Sequence, residues 1–238
     1  MTVSGHRPPS RPDGAALRAG EPVTLVGGGP LSPADLSTAL ALAPSLVAAD
    51  GGADRCIEAG LAPLAVIGDM DSISPGAARR LAGRLHPVAE QDSTDFDKAL
   101  SRIDAPLVVG LGFAGGRLDH ELAALHALVM RADRPCLVVG PETLVLHCPP
   151  ALLLPLEVGA TVSLFPLLPV RVASTGLRWG TDGLLLSPRG RIGTSNRATG
   201  PVGLRPRARG LLVILPRATL PLAAEALLAA PRWPARAR

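Results

Sequence analysis

Between Val23 and Gly140, short apolar runs alternate with helix-start signals, and this alternation restricts the fold more than any other property of the chain. The runs at 23–26, 45–49, 64–67, 106–110 and 136–140 have the length and aliphatic character of buried strands. Helical stretches fall between them. Ser32 with Pro33 and Asp35 is an N-cap, a first-turn proline and a capping-box acid. Ser74 and Pro75 repeat the signal ahead of a helix running towards Arg84. A helix over 53–59 is closed by Gly60, Asp92 opens another, and 117–132 reads as a long helix with Leu118, Leu122, Leu125 and Val129 on one face. Strands joined by helical crossovers pair in parallel, with right-handed connections. The expectation is an α/β domain with a Rossmann-like parallel sheet over 21–148.

From about Pro149 the pattern changes. Apolar runs at 161–165, 184–186 and 210–215 are separated by Pro, Gly, Ser and Arg, with no helical period until 220–229. This predicts a smaller antiparallel β-sandwich over 149–220, followed by a C-terminal helix and tail over 221–238. The Arg- and Pro-rich stretch 1–20 is expected to be a disordered tail. With 47% hydrophobic and 18% charged residues, the chain as a whole can bury a large core and is neither disordered nor fibrous.

The formal charge of +4 raises nucleic acid as a partner. However, ten of the 24 basic residues and only two of the 20 acidic ones lie in 1–20 and 205–238, so the body between is acidic. Aromatics make up 2%, so the stacking residues that accompany basic nucleic-acid surfaces are missing too. Cys56, Cys136 and Cys148 sit in apolar stretches without CxxC spacing, as buried thiols of a reducing compartment do. Pro, Gly or charge interrupts every apolar run short of membrane-spanning length, and the first twenty residues carry no apolar signal core. A cytoplasmic protein with neither nucleic-acid nor membrane partner is expected.

In open α/β sheets, ligands bind beyond the carboxyl ends of the strands. In this chain the polar residues gather there. Strand 45–49 runs into Asp50-Gly51-Gly52, and 64–67 into Gly68-Asp69-Met70-Asp71-Ser72. The segment through Val88 runs into Glu90-Gln91-Asp92-Ser93-Thr94-Asp95-Phe96-Asp97-Lys98, and 106–110 into a glycine cluster ending in Arg117-Leu118-Asp119-His120. If the segment is extended, Asp69 and Asp71 point the same way, so both carboxylates can face one cation; otherwise they cap a turn. Asp92 and Asp95 suit a metal site, or equally an N-cap and N3 position, with Lys98 pairing one helical turn on. Lys98 is the one lysine among 24 basic residues, which marks a place where arginine would not serve. Gly112 to Gly116 with Arg117 is either a phosphate cradle or an ordinary turn. His126 reads as a packing residue, and His120 gains interest from its neighbour Asp119. Gly27 to Gly29 lacks the third glycine of a dinucleotide fingerprint and is followed by Pro30, which sets a nicotinamide site aside. Trp179, between Arg178 and Gly180, is either core or a stacking platform.

In order along 23–215, the stretches Ala49–Arg55, Gly68–Ser72, Asp92–Leu100, Gly115–His120, Thr175–Trp179 and Thr194-Ser195-Asn196 together resemble the thiamine pyrophosphokinases. The resemblance implies an α/β nucleotide domain followed by a β-sandwich, and transfer of a diphosphate from ATP to the hydroxyl of thiamine with release of AMP. It implies that Asp69, Asp71 and Asp95 hold Mg²⁺ and that Lys98 and Arg117 act with them on the phosphates. Asp50, Gly51, Gly52, Gln91, Asp92, Gly115, Gly116, Asp119 and His120 would surround ATP. Trp179 would stack on the thiamine pyrimidine, with Ser195 and Asn196 hydrogen-bonding it, at the interface of a homodimer. The alternatives are another ATP- and Mg²⁺-dependent phospho- or diphosphotransferase acting on a small alcohol, or a non-catalytic nucleotide or thiamine sensor.

Overall fold

The computed structural model describes residues 15–235. Its elements run β1 (Leu17–Arg18), β2 (Val23–Val26), α1 (Pro33–Leu42), β3 (Ser45–Ala49), α2 (Gly52–Glu58), β4 (Ala65–Gly68), α3 (Pro75–Arg80), β5 (Leu85–Pro87), α4 (Asp95–Arg102), β6 (Ile103–Asp104), β7 (Val108–Leu111), α5 (Leu118–Met130), β8 (Cys136–Val139) and β9 (Thr143–His147). They continue with β10 (Leu152–Leu154), β11 (Thr161–Pro166), β12 (Val170–Leu177), β13 (Leu185–Leu186), β14 (Gly193–Pro206), β15 (Leu211–Pro216) and α6 (Leu220–Ala229).

The architecture is mixed α/β, built on a large mixed sheet. β2, β7 and β8 are parallel neighbours, with Val23 opposite Val108 and Val108 opposite Cys136. β3, β4 and β5 form a second parallel set, which meets β2 through a bridge between Val23 and Pro44. The strands β2, β3, β4, β7 and β8 are buried along their whole length, as parallel strands covered by helices on both faces must be. β9 then turns back antiparallel on β8 and pairs with β15, and the ladder continues through β11, β14, β12 and β13. The sheet therefore crosses the expected boundary at 148/149 without a break.

Several expectations change in detail. The tail over 1–20 lies mostly outside the described residues, but Leu17 and Arg18 form β1 on β6, held by Ala16 N and Ala19 N donating to Arg102 O and Asp104 O. The tail's expected extent was therefore too long. In α5, Leu118 is 69% and Leu122 57% exposed, while Ala124, Ala127, Leu128 and Val129 are buried. Val129 of the expected face is buried and Leu125 packs against the core, while Ala124, Ala127 and Leu128 take the inward positions that Leu118 and Leu122 do not, because small residues permit close approach. His126 is consequently exposed and does not pack. Helix α3 ends at Arg80, and a single 3-10 turn completes the stretch to Arg84. Helix α4 starts at Asp95 behind Thr94, not at Asp92, because the amides of Asp92 and Ser93 donate to the Glu90 carboxylate at 2.9 and 3.1 Å.

Strand β14 had no sequence signal. Its first half pairs with β11, Val162 opposite Asn196, and its second half with β10 and β12, Gly203 opposite both Leu153 and Thr175. A register shift in β12 between Thr175 and Leu177 accompanies this change of partner. Gly176, at φ 70°, occupies the shift, and a Cβ there would lie 2.0 Å from Pro201 O.

Candidate active site

A cleft of about 940 Å³ opens beyond the carboxyl ends of β2, β3, β4 and β7. Glycines let its walls close up. A Cβ on Gly52 would sit 2.0 Å from Val26 O, and one on Gly29 2.5 Å from Gly112 O, to which Gly29 N already donates. Gly27 to Gly29, which fail the dinucleotide pattern, nevertheless line the cleft, and a glycine run ending a buried strand was the available signal. Phe96 and Phe113, with ring centroids 4.6 Å apart, form an apolar wall that the sequence did not suggest.

The acids converge through turns. Asp50 adopts φ 41° just past β3 and is 1% exposed. Its Oδ2 accepts from Ser72 N at 3.0 Å, while its Oδ1 is buried with no hydrogen-bond donor. Asp69 and Asp71 are brought together with it by Met70 at φ 69°, so a left-handed turn does what an extended segment was expected to do. Asp71 N donates to Asp69 Oδ1, and Ser72 Oγ to Asp71 Oδ1. Carboxylate oxygens of Asp50, Asp69 and Asp71 all lie within 4.8 Å of one another.

Lys98, on the inner face of α4, is 2% exposed and places Nζ 2.6 Å from Asp69 Oδ2 and 3.6 Å from Asp95 Oδ1. Burial opposes its charge, but the Asp69 hydrogen bond and the Asp95 charge outweigh that and raise its pKa. The same hydrogen bond holds the Asp69 carboxyl below its usual range. Asp95 is raised by burial and by the Asp69 charge. Burial pushes Asp50 up to about 6 against the opposing Ser72 amide, with the Asp95 charge adding to the rise. Asp69 and Asp95 thus share one lysine, Asp50 and Asp71 stand beside them, and a buried oxygen of Asp50 faces no donor. Uncompensated buried charge is costly, and a hard divalent cation takes oxygen ligands of this kind. Asp50, Asp69 and Asp71 fit such an ion.

At the rim, Arg117 donates to both oxygens of Asp119, at 3.2 Å from Nε and 2.5 Å from the terminal nitrogen. This pairing raises Arg117 and lowers Asp119 to about 2. Arg117, Gly116, His120, Gln91 and Gly51 line the cleft. The amide of Gly115, expected in a phosphate cradle, instead donates to Glu121 Oε2 at 3.0 Å. Asp92 is exposed and does not line the cleft. Glu90, which sequence reasoning passed over, shapes that loop by accepting from two amides and the Ser93 hydroxyl. Asp54 does the same for the Asp69–Ser74 turn, accepting from Ser74 N at 2.9 Å and from the Ser74 hydroxyl.

Trp179, Ser195 and Asn196 do not line this cleft. Trp179 follows β12, is 56% exposed and carries the Arg178 guanidinium 4.9 Å from its ring centre. Ser195 is exposed at φ 59°, its amide donating to Ser163 Oγ. Asn196 is buried against the Trp179 backbone.

Residues 36–139 match the family model of the thiamin pyrophosphokinase catalytic domain. A thiamine pyrophosphokinase from Bacillus subtilis is 35% identical over 89 residues, which are 34% of this chain and 42% of that protein. Thiamin pyrophosphokinase 1 from Caenorhabditis elegans is 29% identical over 154 residues, 58% of this chain and 63% of that protein. The alignments thus span less than two thirds of either relative. Over the fold the likeness is wider: the structure of thiamin pyrophosphokinase from Candida albicans superposes with a TM-score of 0.69 at 17% identity, covering 87% of this chain and 95% of that one.

Proposed function

We propose, from the match of residues 36–139 to the thiamin pyrophosphokinase catalytic domain, that this chain transfers the diphosphate of ATP to the hydroxyl of thiamine, forming thiamine diphosphate and AMP. The observation that carries this is the cluster of Asp50, Asp69, Asp71, Asp95 and Lys98, in which Asp50 and Lys98 are buried and Asp69, Asp95 and Lys98 line the cleft of about 940 Å³.

In the transfer, the thiamine hydroxyl oxygen bonds to the β-phosphorus of ATP and releases its proton to solvent, the bond from that phosphorus to the α–β bridging oxygen breaks, and AMP leaves with that oxygen. The protein's part in such chemistry is positioning and charge neutralisation. Asp50, Asp69 and Asp71 would hold Mg²⁺, which supplies positive charge to the triphosphate when bound; Asp95 is turned to Lys98. Lys98 fixes the Asp69 carboxylate and directs a buried positive charge at the cleft. Arg117, oriented by Asp119, presents a bidentate donor to phosphate at the rim. Gln91, Gly51, Gly116 and His120 complete the ATP surface. Thiamine falls to Trp179 and Ser195, which stand outside the cleft, so one subunit's β half would cover the other subunit's cleft in a cytoplasmic homodimer. In this division of labour the mixed sheet behaves as a Rossmann-like nucleotide half up to β9 and a sandwich-like thiamine half beyond it. Among the described residues, no helix is long and apolar enough to cross a membrane.

Incubation with ATP, Mg²⁺ and thiamine tests the proposal through identification of the nucleotide product. AMP with thiamine diphosphate is expected, whereas ADP with thiamine monophosphate would reject diphosphate transfer.

A further inference from the structure

We propose that Asn196 is a positioning residue that builds the Trp179 platform, and that it acts on thiamine through Trp179 instead of binding it directly. The inference rests on the reading of Trp179 as the thiamine platform. The backbone ladder between β12 and β14 ends where it is needed most. Leu177 still pairs opposite Ala198, and Arg178 N still donates to Arg197 O at 2.8 Å. One residue further on, the partner strand supplies a side chain in place of its backbone. Asn196 Oδ1 accepts from Trp179 N at 3.2 Å, and Asn196 Nδ2 donates to Trp179 O at 2.7 Å. The carboxamide thereby reproduces the donor and acceptor of a peptide group and extends the ladder past its last backbone rung. Arg197 N, at 2.8 Å, takes a further place on Oδ1 and locks the orientation of the amide.

These contacts, at a residue 5% exposed, leave one amide hydrogen for anything else. Their effect lies one residue away. They hold the backbone of a tryptophan that is 56% exposed, and a large aromatic surface in that position would otherwise sample several orientations. Arg178 adds the second constraint: its guanidinium, 4.9 Å from the ring centre, covers one face of the indole, so a ligand has only the other. With a cation already on one face, the vacant face favours a neutral aromatic ring over a second cation. Of the two rings of thiamine, that selects the aminopyrimidine over the thiazolium.

A double-mutant cycle separates positioning from direct contact. Asn196→Ala should raise the thiamine KM by about tenfold, the equivalent of roughly one lost hydrogen bond's net worth, with the ATP KM and kcat within about twofold of wild type. In a Trp179→Ala background, Asn196→Ala should change the thiamine KM by less than about twofold, because its route of action has been removed. Additive effects would overturn the proposal and make Asn196 a direct ligand. A second readout needs no substrate. Trp233→Phe leaves Trp179 the sole tryptophan of the two, and Asn196→Ala should then lower its fluorescence anisotropy; unchanged anisotropy would also overturn the clamp. Asn196→Asp keeps the acceptor contacts and lacks the donor to Trp179 O, so it provides the intermediate anisotropy if Asn196→Ala fails to fold; wild-type anisotropy in that variant would count against the clamp. If Trp179→Ala leaves the thiamine KM unchanged while the anisotropy falls as expected, the clamp stands and the stacking role of Trp179 fails.

Discussion

The acidic cleft and the Trp179 platform solve opposite problems. In the cleft, charge is brought out of water and held by other charge: Lys98 is 2% exposed between Asp69 and Asp95, and Asp50 is 1% exposed with one oxygen facing no donor. At the platform an apolar ring is held out into water, and the polar groups of the backbone beneath it are satisfied by Asn196. The first arrangement is a preorganised electrostatic site, formed within one chain and incomplete in charge without a cation. The second is geometrically fixed, and it leaves the indole more than half exposed with the Arg178 guanidinium against it. On the proposed reading, the first governs turnover and the second the affinity for thiamine alone.

The sharpest way to break this contrast is to mutate one residue on each side. Asp69→Asn removes the carboxylate that both faces the proposed cation and pairs with Lys98 at 2.6 Å. Turnover should fall by at least about a hundredfold, the scale of losing one preorganised electrostatic contact, while the circular dichroism spectrum stays as in wild type. A near-normal rate would place the metal site elsewhere. Trp179→Ala should act on one substrate alone. Loss of the ring is expected to raise the thiamine KM by about tenfold, consistent with the ~0.5–1.5 kcal/mol of an aromatic pair beyond its buried area, and to leave the ATP KM unchanged. If both KM values rise together, the two regions do not divide the substrates as argued here.

How much of this was legible in the sequence follows the same contrast. The buried parallel strands announced themselves through continuous apolar runs, and Ser32 and Ser74 cap α1 and α3 as their sequence signals indicated. The acids were found because strand ends are where such residues collect. How they meet was not found, because Met70 takes a left-handed backbone conformation that its residue type does not favour, and Asp50, a type that tolerates that region, adopts it as well. In α5 the expected face held for Leu125 and Val129 but not for Leu118 and Leu122, which stay exposed while Ala124, Ala127 and Leu128 face the core. Least visible was β14. Its sequence, Gly193–Pro206, mixes Thr, Ser, Asn, Arg, Gly and Pro, and it is a strand because β10, β11 and β12 supply it with partners. The role of Asn196 depends on that pairing and on a residue 17 positions away, which no local pattern encodes.

The smallest expected effect concerns the cation. Burial raises the Asp50 carboxyl to about 6 in the folded chain, above its ordinary value of 3.8. Between these two values the folded state binds more protons than the unfolded state, so the contribution of Asp50 to stability falls as pH rises from about 4 to about 6. Above pH 6 the ionised carboxylate is a buried charge without a partner on Oδ1. In EDTA, therefore, the difference in Tm between Asp50→Asn and wild type should shift in favour of the variant by a few degrees across that window, on the scale of about 2 °C per kcal/mol for a chain of this size. Addition of Mg²⁺ at pH 7 should reverse the order, because an ion that binds only the folded state stabilises wild type by mass action and finds one carboxylate fewer in the variant. A Tm difference that is flat between pH 4 and 7 and indifferent to Mg²⁺ would mean that Asp50 holds its turn through Ser72 alone, leaving Asp69 and Asp71 to form the electrostatic site without it.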